Sequence, residues 1–317
     1  MNKLNEKKII KLFQKQLGNK KFVPEDVEFF KFGKTNCVIN VDTLVESTDI
    51  PPRTKTSDAV RKSIVACVSD FAAKGVKPLY GIISITLPRK FSKSKIVEIS
   101  KSIAKAANEF DFKILGGDTN EGKELVIEVF LLGFADDIIR RKGAKIGDLV
   151  FVTGPFGYSA AGLKILLEKK KADKKFGEKA KSFSLRPNPR LKFGMQARSY
   201  FTASMDSSDG LSTTLNELSR QNQRRFVLTK IPCNNDLIKF CKFNKLNFEN
   251  LVFNGGEEFE IVFTTSPKNR SKVTRIASKQ KIPLLEIGYV EKGKGVVYLQ
   301  NGKISKIKDA GWQHLKA

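Results

Sequence analysis

Six residues, Leu115–Asn120 (LGGDTN), constrain this chain more than any other stretch. An amphipathic run, Lys93–Phe110, precedes them and a β-rich run, LVIEVFLLG, follows. The segment between therefore reads as a helix-to-strand turn. Two glycines let the backbone bend and leave room for a ligand, and one carboxylate, Asp118, projects beside Thr119. A lone GGD is an ordinary turn, but the device recurs. Asp26, Asp42, Asp206 and Asp209 lie at strand ends or turns, and Asp70 lies in a helical stretch of small and apolar residues. Carboxylates gathered in one place repel one another unless protons or metal ions neutralise them. The set reads as a Mg²⁺ and phosphate site.

Around it the chain alternates strands and helices. Residues 3–17 form an amphipathic helix, and Val27–Phe32 and Cys37–Leu44 pair as a hairpin with Asp26 before the first strand and Asp42 near the end of the second. Pro51 and Pro52 then fix an extended loop that carries Asp49 within reach of a ligand. Ser57 is the expected cap of a helix running to Gly75, in which Ser69 and Asp70 interrupt an apolar stretch. Leu79–Leu87 is a strand ended by Pro88, Lys93–Phe110 a helix, and the strand after LGGDTN completes a β-β-α-β-α-β unit. At 317 residues one ordinary core is too small, and the polar stretch Asp137–Gly147 divides the chain into residues 1–137 and 138–317. Arg141 in that stretch is either a linker charge or a phosphate contact.

The second part opens with strand, glycine turn and helix, where GPFG resembles a phosphate cradle only loosely. Lysines fill Lys164–Lys181, which reads as a helix end running into a linker. SMDSSDGLSTTL presents Asp206, Ser208 and Asp209 at a strand end, and NGGEE (Asn254–Glu258) is a second acid-bearing glycine turn before a strand. A helix and short strands follow, and the only Trp and His, Trp312 and His314, stand near the end. The fold class is thus mixed, α+β with α/β character: an N-terminal sheet with helices and a C-terminal mixed α/β sandwich.

Composition narrows the function. A net charge of +25 invites a nucleic-acid reading, but the lysines are spread along the chain and no recognised nucleic-acid motif is present. A basic surface also attracts anionic substrates. No apolar run reaches membrane-spanning length, four scattered cysteines argue against a disulfide framework or zinc site, and the expected compartment is the cytoplasm. No Ser-His-Asp or Cys-His pairing is evident, so a reaction needing a general base has few candidates. Phosphoryl transfer needs mainly positioning and charge neutralisation. A phosphate acceptor is already ionised near neutral pH and needs no base. These residues favour an ATP-dependent enzyme acting on an anionic acceptor.

Seven segments in order carry a resemblance: NVDTLVESTDIPP, RKSIVACVSDFAAKGVKPL, LGGDTN, RKGAKIGDLVFVTG, SMDSSDGLSTTL, NGGEEFEIVFT and GWQHL. Together they resemble the thiamine-monophosphate kinase family, within the ATP-binding aminoimidazole-ribonucleotide-synthetase-like superfamily. The resemblance implies direct transfer of the ATP γ-phosphoryl group to thiamine monophosphate, and a homodimer paired through its N-terminal domains. It implies magnesium ligands at Asp26, Val41 (backbone oxygen only), Asp42, Asp70, Asp118, Asp206 and Asp209. ATP contacts fall at Gly117, Asp118, Arg141 and Ser208, and thiamine-phosphate contacts at Asp49, Glu257 and Trp312. Asp118, Asp42, Asp70 and Asp209 then form the catalytic set. Three departures stand out: Asn40-Val41 where the family often has Ser or Thr before its Asp, Asp49 where many members have His, and Cys67 where Asn is common. The alternatives are another ATP-dependent member of the superfamily, such as a cyclo-ligase or selenophosphate-synthetase-like enzyme, and a basic nucleic-acid binder.

Overall fold

The helix Thr56–Lys74 has no glycine or proline inside it, and Gly75 ends it in the left-handed conformation at φ 65°. The computed structural model, which describes residues 5–315, buries fifteen of its residues. A helix apolar all round has to be covered all round. Here two sheets do the covering.

In chain order the elements are α1 (Glu6–Gln16), β1 (Glu28–Phe32), β2 (Thr35–Val45), α2 (Glu46–Asp49), α3 (Thr56–Lys74), β3 (Pro78–Pro88), α4 (Lys93–Phe110), β4 (Lys113–Gly122) and β5 (Val126–Ala135). Then come β6 (Leu149–Val152), α5 (Tyr158–Glu168), α6 (Lys174–Leu185), α7 (Leu191–Ala197), β7 (Ala203–Ser207), α8 (Leu211–Asn222) and β8 (Arg225–Leu228). The chain closes with α9 (Asn235–Phe243), α10 (Phe248–Asn254), β9 (Glu260–Thr265), α11 (Arg270–Lys279), β10 (Leu285–Glu291), β11 (Gly295–Gln300) and β12 (Lys303–Lys306). The first five strands make one mixed sheet, ordered β1-β2-β5-β3-β4, and the other seven a second, ordered β12-β11-β8-β10-β6-β9-β7. Helix α3 touches β2 and β5 on one side and β7 and β9 on the other. Phe71 and Val68 are fully buried there, each stabilising by about 2 kcal/mol through lost water contact.

Three expectations are corrected. LGGDTN is not a turn but the middle of β4, an edge strand, so the first unit reads β-β-α-β-α-β-β. The expected cap Ser57 already lies inside α3, whose cap is Lys55 with no side-chain bond. The lysine-rich run is not a linker: α6 crosses half of it and buries Phe176, Gly177, Ala180 and Ser184. A four-residue apolar period survives among the lysines.

Among the described residues, nothing covers one surface of the first sheet. Phe30, Phe32, Val41, Tyr80, Ile82 and Phe134 are all exposed apolar residues. The ladder aligns Val41 with Phe130 and Phe130 with Ile82, so this is one continuous face.

Candidate active site

The acids converge where α3 meets both sheets. One carboxylate oxygen each from Asp26, Asp70 and Asp206 lies within 4.8 Å of the others. Asp26 precedes β1, Asp70 stands near the end of α3 and Asp206 lies in β7, so both sheets contribute. Cations from the chain bracket the first. Arg141 donates through Nε to Asp26 Oδ1 at 2.7 Å, and Lys74 Nζ lies 2.8 Å from Asp26 Oδ2. Lys74 also bonds Glu25 at 2.8 Å and the Ser204 carbonyl at 3.1 Å. Ser69 donates to Asp206 at 3.0 Å, and Asn40 to Asp70.

These surroundings split the three acids. Burial pushes Asp26 upward, but Arg141 and Lys74 outweigh it and hold the carboxyl below its ordinary value. At Asp70 the pull of Arg141 is outweighed. Burial, then Asp206, Asp26 and Asp42, drive this carboxyl well above the usual range. Burial and the charge of Asp26 push Asp206 up to about 7. Two oxygen donors are thus held at a cost in repulsion that a divalent cation relieves, and no thiol or imidazole belongs to the trio. A hard oxygen set of this kind fits Mg²⁺.

Around the trio opens a cleft of about 1110 Å³, reaching Arg141, Ser208, Asp209 and Trp312 and bordered by α1. Burial and Glu6 push Asp209 up to about 6. Asp42 is likewise pushed up to about 6 by burial, with Asp49 and Asp209 adding their charges. These three acids therefore form a second group that draws on both sheets. Trp312 is seated by its backbone: its N–H donates to the Asp209 carbonyl at 2.9 Å. Gly311 makes this possible, since a Cβ there would lie 2.2 Å from the Asp209 oxygen. The indole is left 57% exposed, free to meet a ligand.

Two loops that looked alike in sequence behave differently. In NGGEE, the Glu257 N–H donates to the Ser208 carbonyl at 2.6 Å, which prolongs the pairing of β7 with β9. Glu258 turns inward, where its carboxylate accepts from the N–H groups of Gly157 and Ser159 at 2.7 and 3.0 Å. The loose phosphate cradle suggested by GPFG is therefore occupied by the chain's own acid. Burial pushes Glu258 up to about 8.

Gly117 and Asp118 stand apart from both groups. β4 pairs with β3 so that Gly117 aligns with Ile83 and Asp118 with Ser84. Through β5 and β2 these rows continue to Asp42 and Thr43 respectively. Alternation places Asp118 on the uncovered apolar face, opposite the face of Asp42, and about 14 Å across three strand spacings. Its carboxylate accepts from Asn120 at 3.0 Å. The side chain of Val41 is 63% exposed on that same outer face. β1 pairs with β2 only as far as Ile39, so one edge of β2 beyond it is free to offer a main-chain oxygen.

Sequence reasoning missed Lys74, Glu25, Asn40 and Lys62. Lys74 ends an apolar helix just before glycine and looks like a surface charge, yet it is fully buried. Only the packing of α3 between two sheets reveals it. Cys67, a departure from the family pattern, is fully buried and lies against Asn40 and Asp70.

Comparison with known proteins adds to this geometry. Residues 24–135 match the model of the AIR synthase related protein N-terminal domain. The chain is 52% identical over 316 residues to a thiamine-monophosphate kinase of Nitrosopumilus maritimus, covering 100% of each. It is 33% identical to the thiamine-monophosphate kinase of Pyrococcus horikoshii, covering 100% of this chain and 98% of the other. Among solved structures, AaThiL complexed with AMPPCP and TMP superposes with a TM-score of 0.87 at 29% identity, covering 99% of this chain and 98% of that one.

Proposed function

The chain belongs to the thiamine-monophosphate kinase family, and from that premise we propose how its cleft performs the reaction. It is an ATP-dependent kinase that phosphorylates thiamine monophosphate to thiamine diphosphate. The observation that carries the mechanism is the convergence of Asp26, Asp70 and Asp206 on one point in a cleft that also holds Arg141.

Asp70 and Asp206, with Asp26, would hold Mg²⁺, and Asp42, Asp209 and the backbone oxygen of Val41 would extend the set. The charge stabilisation that phosphoryl transfer needs would be supplied by Mg²⁺ at this set. Arg141, fixed by Asp26, places a permanent positive charge beside the ATP phosphates, and Ser208 offers a hydroxyl to them. Asp49 and Glu257 face the cationic thiazolium end of thiamine monophosphate, and Trp312 stacks on it. The acceptor oxygen is already ionised, so no side chain has to remove a proton, and transfer is direct and in line. AaThiL, solved with AMPPCP and TMP, supports room for both substrates in such a cleft.

The uncovered face of the first sheet supports a homodimer, with two copies burying Val41, Tyr80, Ile82 and Phe134 against each other. In that arrangement Asp118, on the same uncovered face, contributes to turnover only in the pair, and Gly117 beside it in β4 goes with it. Residues 1–137 and 138–317 act as the two units whose junction forms the cleft. No helix among the described residues is long and apolar enough to cross a membrane. The four cysteines are free, which fits a reducing cytoplasm.

The test is phosphoryl transfer from ATP to thiamine monophosphate, with product followed by chromatography. Thiamine diphosphate should form with Mg²⁺ and cease with a chelator. Undiminished product under chelation would remove the metal from the mechanism, and no product with metal would remove the acceptor.

A further inference from the structure

Lys62 belongs to neither acid group, yet it touches parts of both sheets' loops. It lies on α3, and its side chain is only 6% exposed. Its ammonium donates to the Asp49 carbonyl at 3.2 Å, where α2 ends, and forms an ion pair with Glu257 Oε1. Each partner is itself held. Asp49 Oδ2 accepts from the Val45 N–H at 2.7 Å, and Glu257 sits at a left-handed φ of 63° with its N–H on Ser208. A non-glycine residue keeps such a backbone only where its surroundings enforce it.

The placement along α3 is informative. From Lys62 to Lys74 every residue is buried except Ala66 and Asp70. These follow Lys62 at four and eight residues, so all three share one stripe. Ala66, packed against the first sheet's core, separates Lys62 from Asp70, which are about 12 Å apart along the helix axis.

We propose that Lys62 is a positioning residue for the acceptor. It fixes Asp49 from the first sheet and Glu257 from the second at the separation that thiamine monophosphate requires. The proposal rests on the reading that Asp49 and Glu257 face that substrate. A core tie would serve as well with an aliphatic side chain, because burying an ammonium costs free energy unless it is paired. The pairing chosen here joins two loops that otherwise meet nowhere else through side chains among the bonds described.

The experiment is steady-state kinetics on the full chain with Lys62→Met, Lys62→Arg, Glu257→Gln and the double variant Lys62→Met with Glu257→Gln. Wild type is assayed first: absence of thiamine diphosphate there would sink the functional reading, not the tie itself. With wild type active, Lys62→Met should raise KM for thiamine monophosphate about tenfold and leave KM for ATP within about twofold. Lys62→Arg, which keeps the charge, should recover much of that loss. The double variant should be no worse than Glu257→Gln alone, because the two residues act as one unit. Equal increases in both KM values, or additive losses, would overturn the proposal. If circular dichroism shows Lys62→Met unfolded, Glu257→Gln carries the test alone. The same KM split is then expected, and a shift shared by both substrates rejects it.

Discussion

The carboxylate trio and the edge strand β4 carry the same kind of residue in opposite settings. Asp206 is 2% exposed and shares its space with two more acids, a serine and an arginine held close by. Asp118 lies on an exposed strand, with Asn120 as its partner, and is not a member of the trio. An acid gains metal-binding character from its company. In the trio the chain itself provides that company from two sheets. On β4 it has to come from outside the single chain, from substrate or from a second copy seated on the uncovered face.

The largest effect should come from the trio. Asp70→Asn should lower turnover by about 10³-fold, the scale of losing a main electrostatic element of a site. The same change should leave the metal-free protein as stable as wild type or more so, since it removes a charge that Asp206, Asp26 and Asp42 repel. Thermal melting in a chelator together with the kinase assay checks both halves. Near-wild-type turnover would take Asp70 out of the metal shell.

A smaller and conditional effect is expected on β4. Asp118→Asn should lower turnover by about 10- to 100-fold and leave melting unchanged, because surface substitutions seldom cost more than about 0.5 kcal/mol. Ile82→Glu, which puts a charge on the apolar face, should convert the proposed dimer to monomer in sedimentation and lower turnover as well. In the monomeric background Asp118→Asn should add little. If it still costs the full factor there, Asp118 works within one chain and needs no second surface.

Much of this frame was legible beforehand, and the failures have a common cause. The helix Lys93–Phe110 and the β1–β2 hairpin follow from strong local periodicity, as does the Asp206–Asp209 segment between strand and helix. LGGDTN misled because a glycine pair signals a turn. The structure gives Gly117 another purpose: a Cβ there would lie 1.8 Å from the Ile83 carbonyl, in a strand pair whose register slips between Gly81 and Ile82. Lys62 and Lys74 were invisible for a different reason. Lysine in a helix is usually a solvated charge, and nothing local says that two sheets will close over it. The acids were found by type, but which of them meet is decided by contacts between residues more than a hundred positions apart, such as Ser69 with Asp206.

The smallest effect tests the trio without catalysis. Asp206 stands at about 7, Asp42 and Asp209 at about 6, and Asp70 is also raised, all above the carboxylate's ordinary 3.8. Between pH 4 and 7 the folded chain therefore holds protons that the unfolded chain has released. Stability then falls as pH rises through that window. Asp26 contributes the other way, but its carboxyl is lowered and its stabilisation is lost only below pH 4. In a chelator, the melting temperature should drop by about 5 °C from pH 5.5 to pH 8, given the few degrees per kcal/mol of a chain this size. Asp70→Asn should flatten the slope, which separates this effect from the general charge of the surface. Mg²⁺ should raise the melting temperature at pH 8 and do little at pH 5.5, where protons already neutralise the acids. A metal-free profile that rises from pH 5.5 to 8 would mean that the three carboxylates are not in conflict. Asp118 would then differ from them only in exposure, and its isolation on β4 would no longer explain why it needs a second surface.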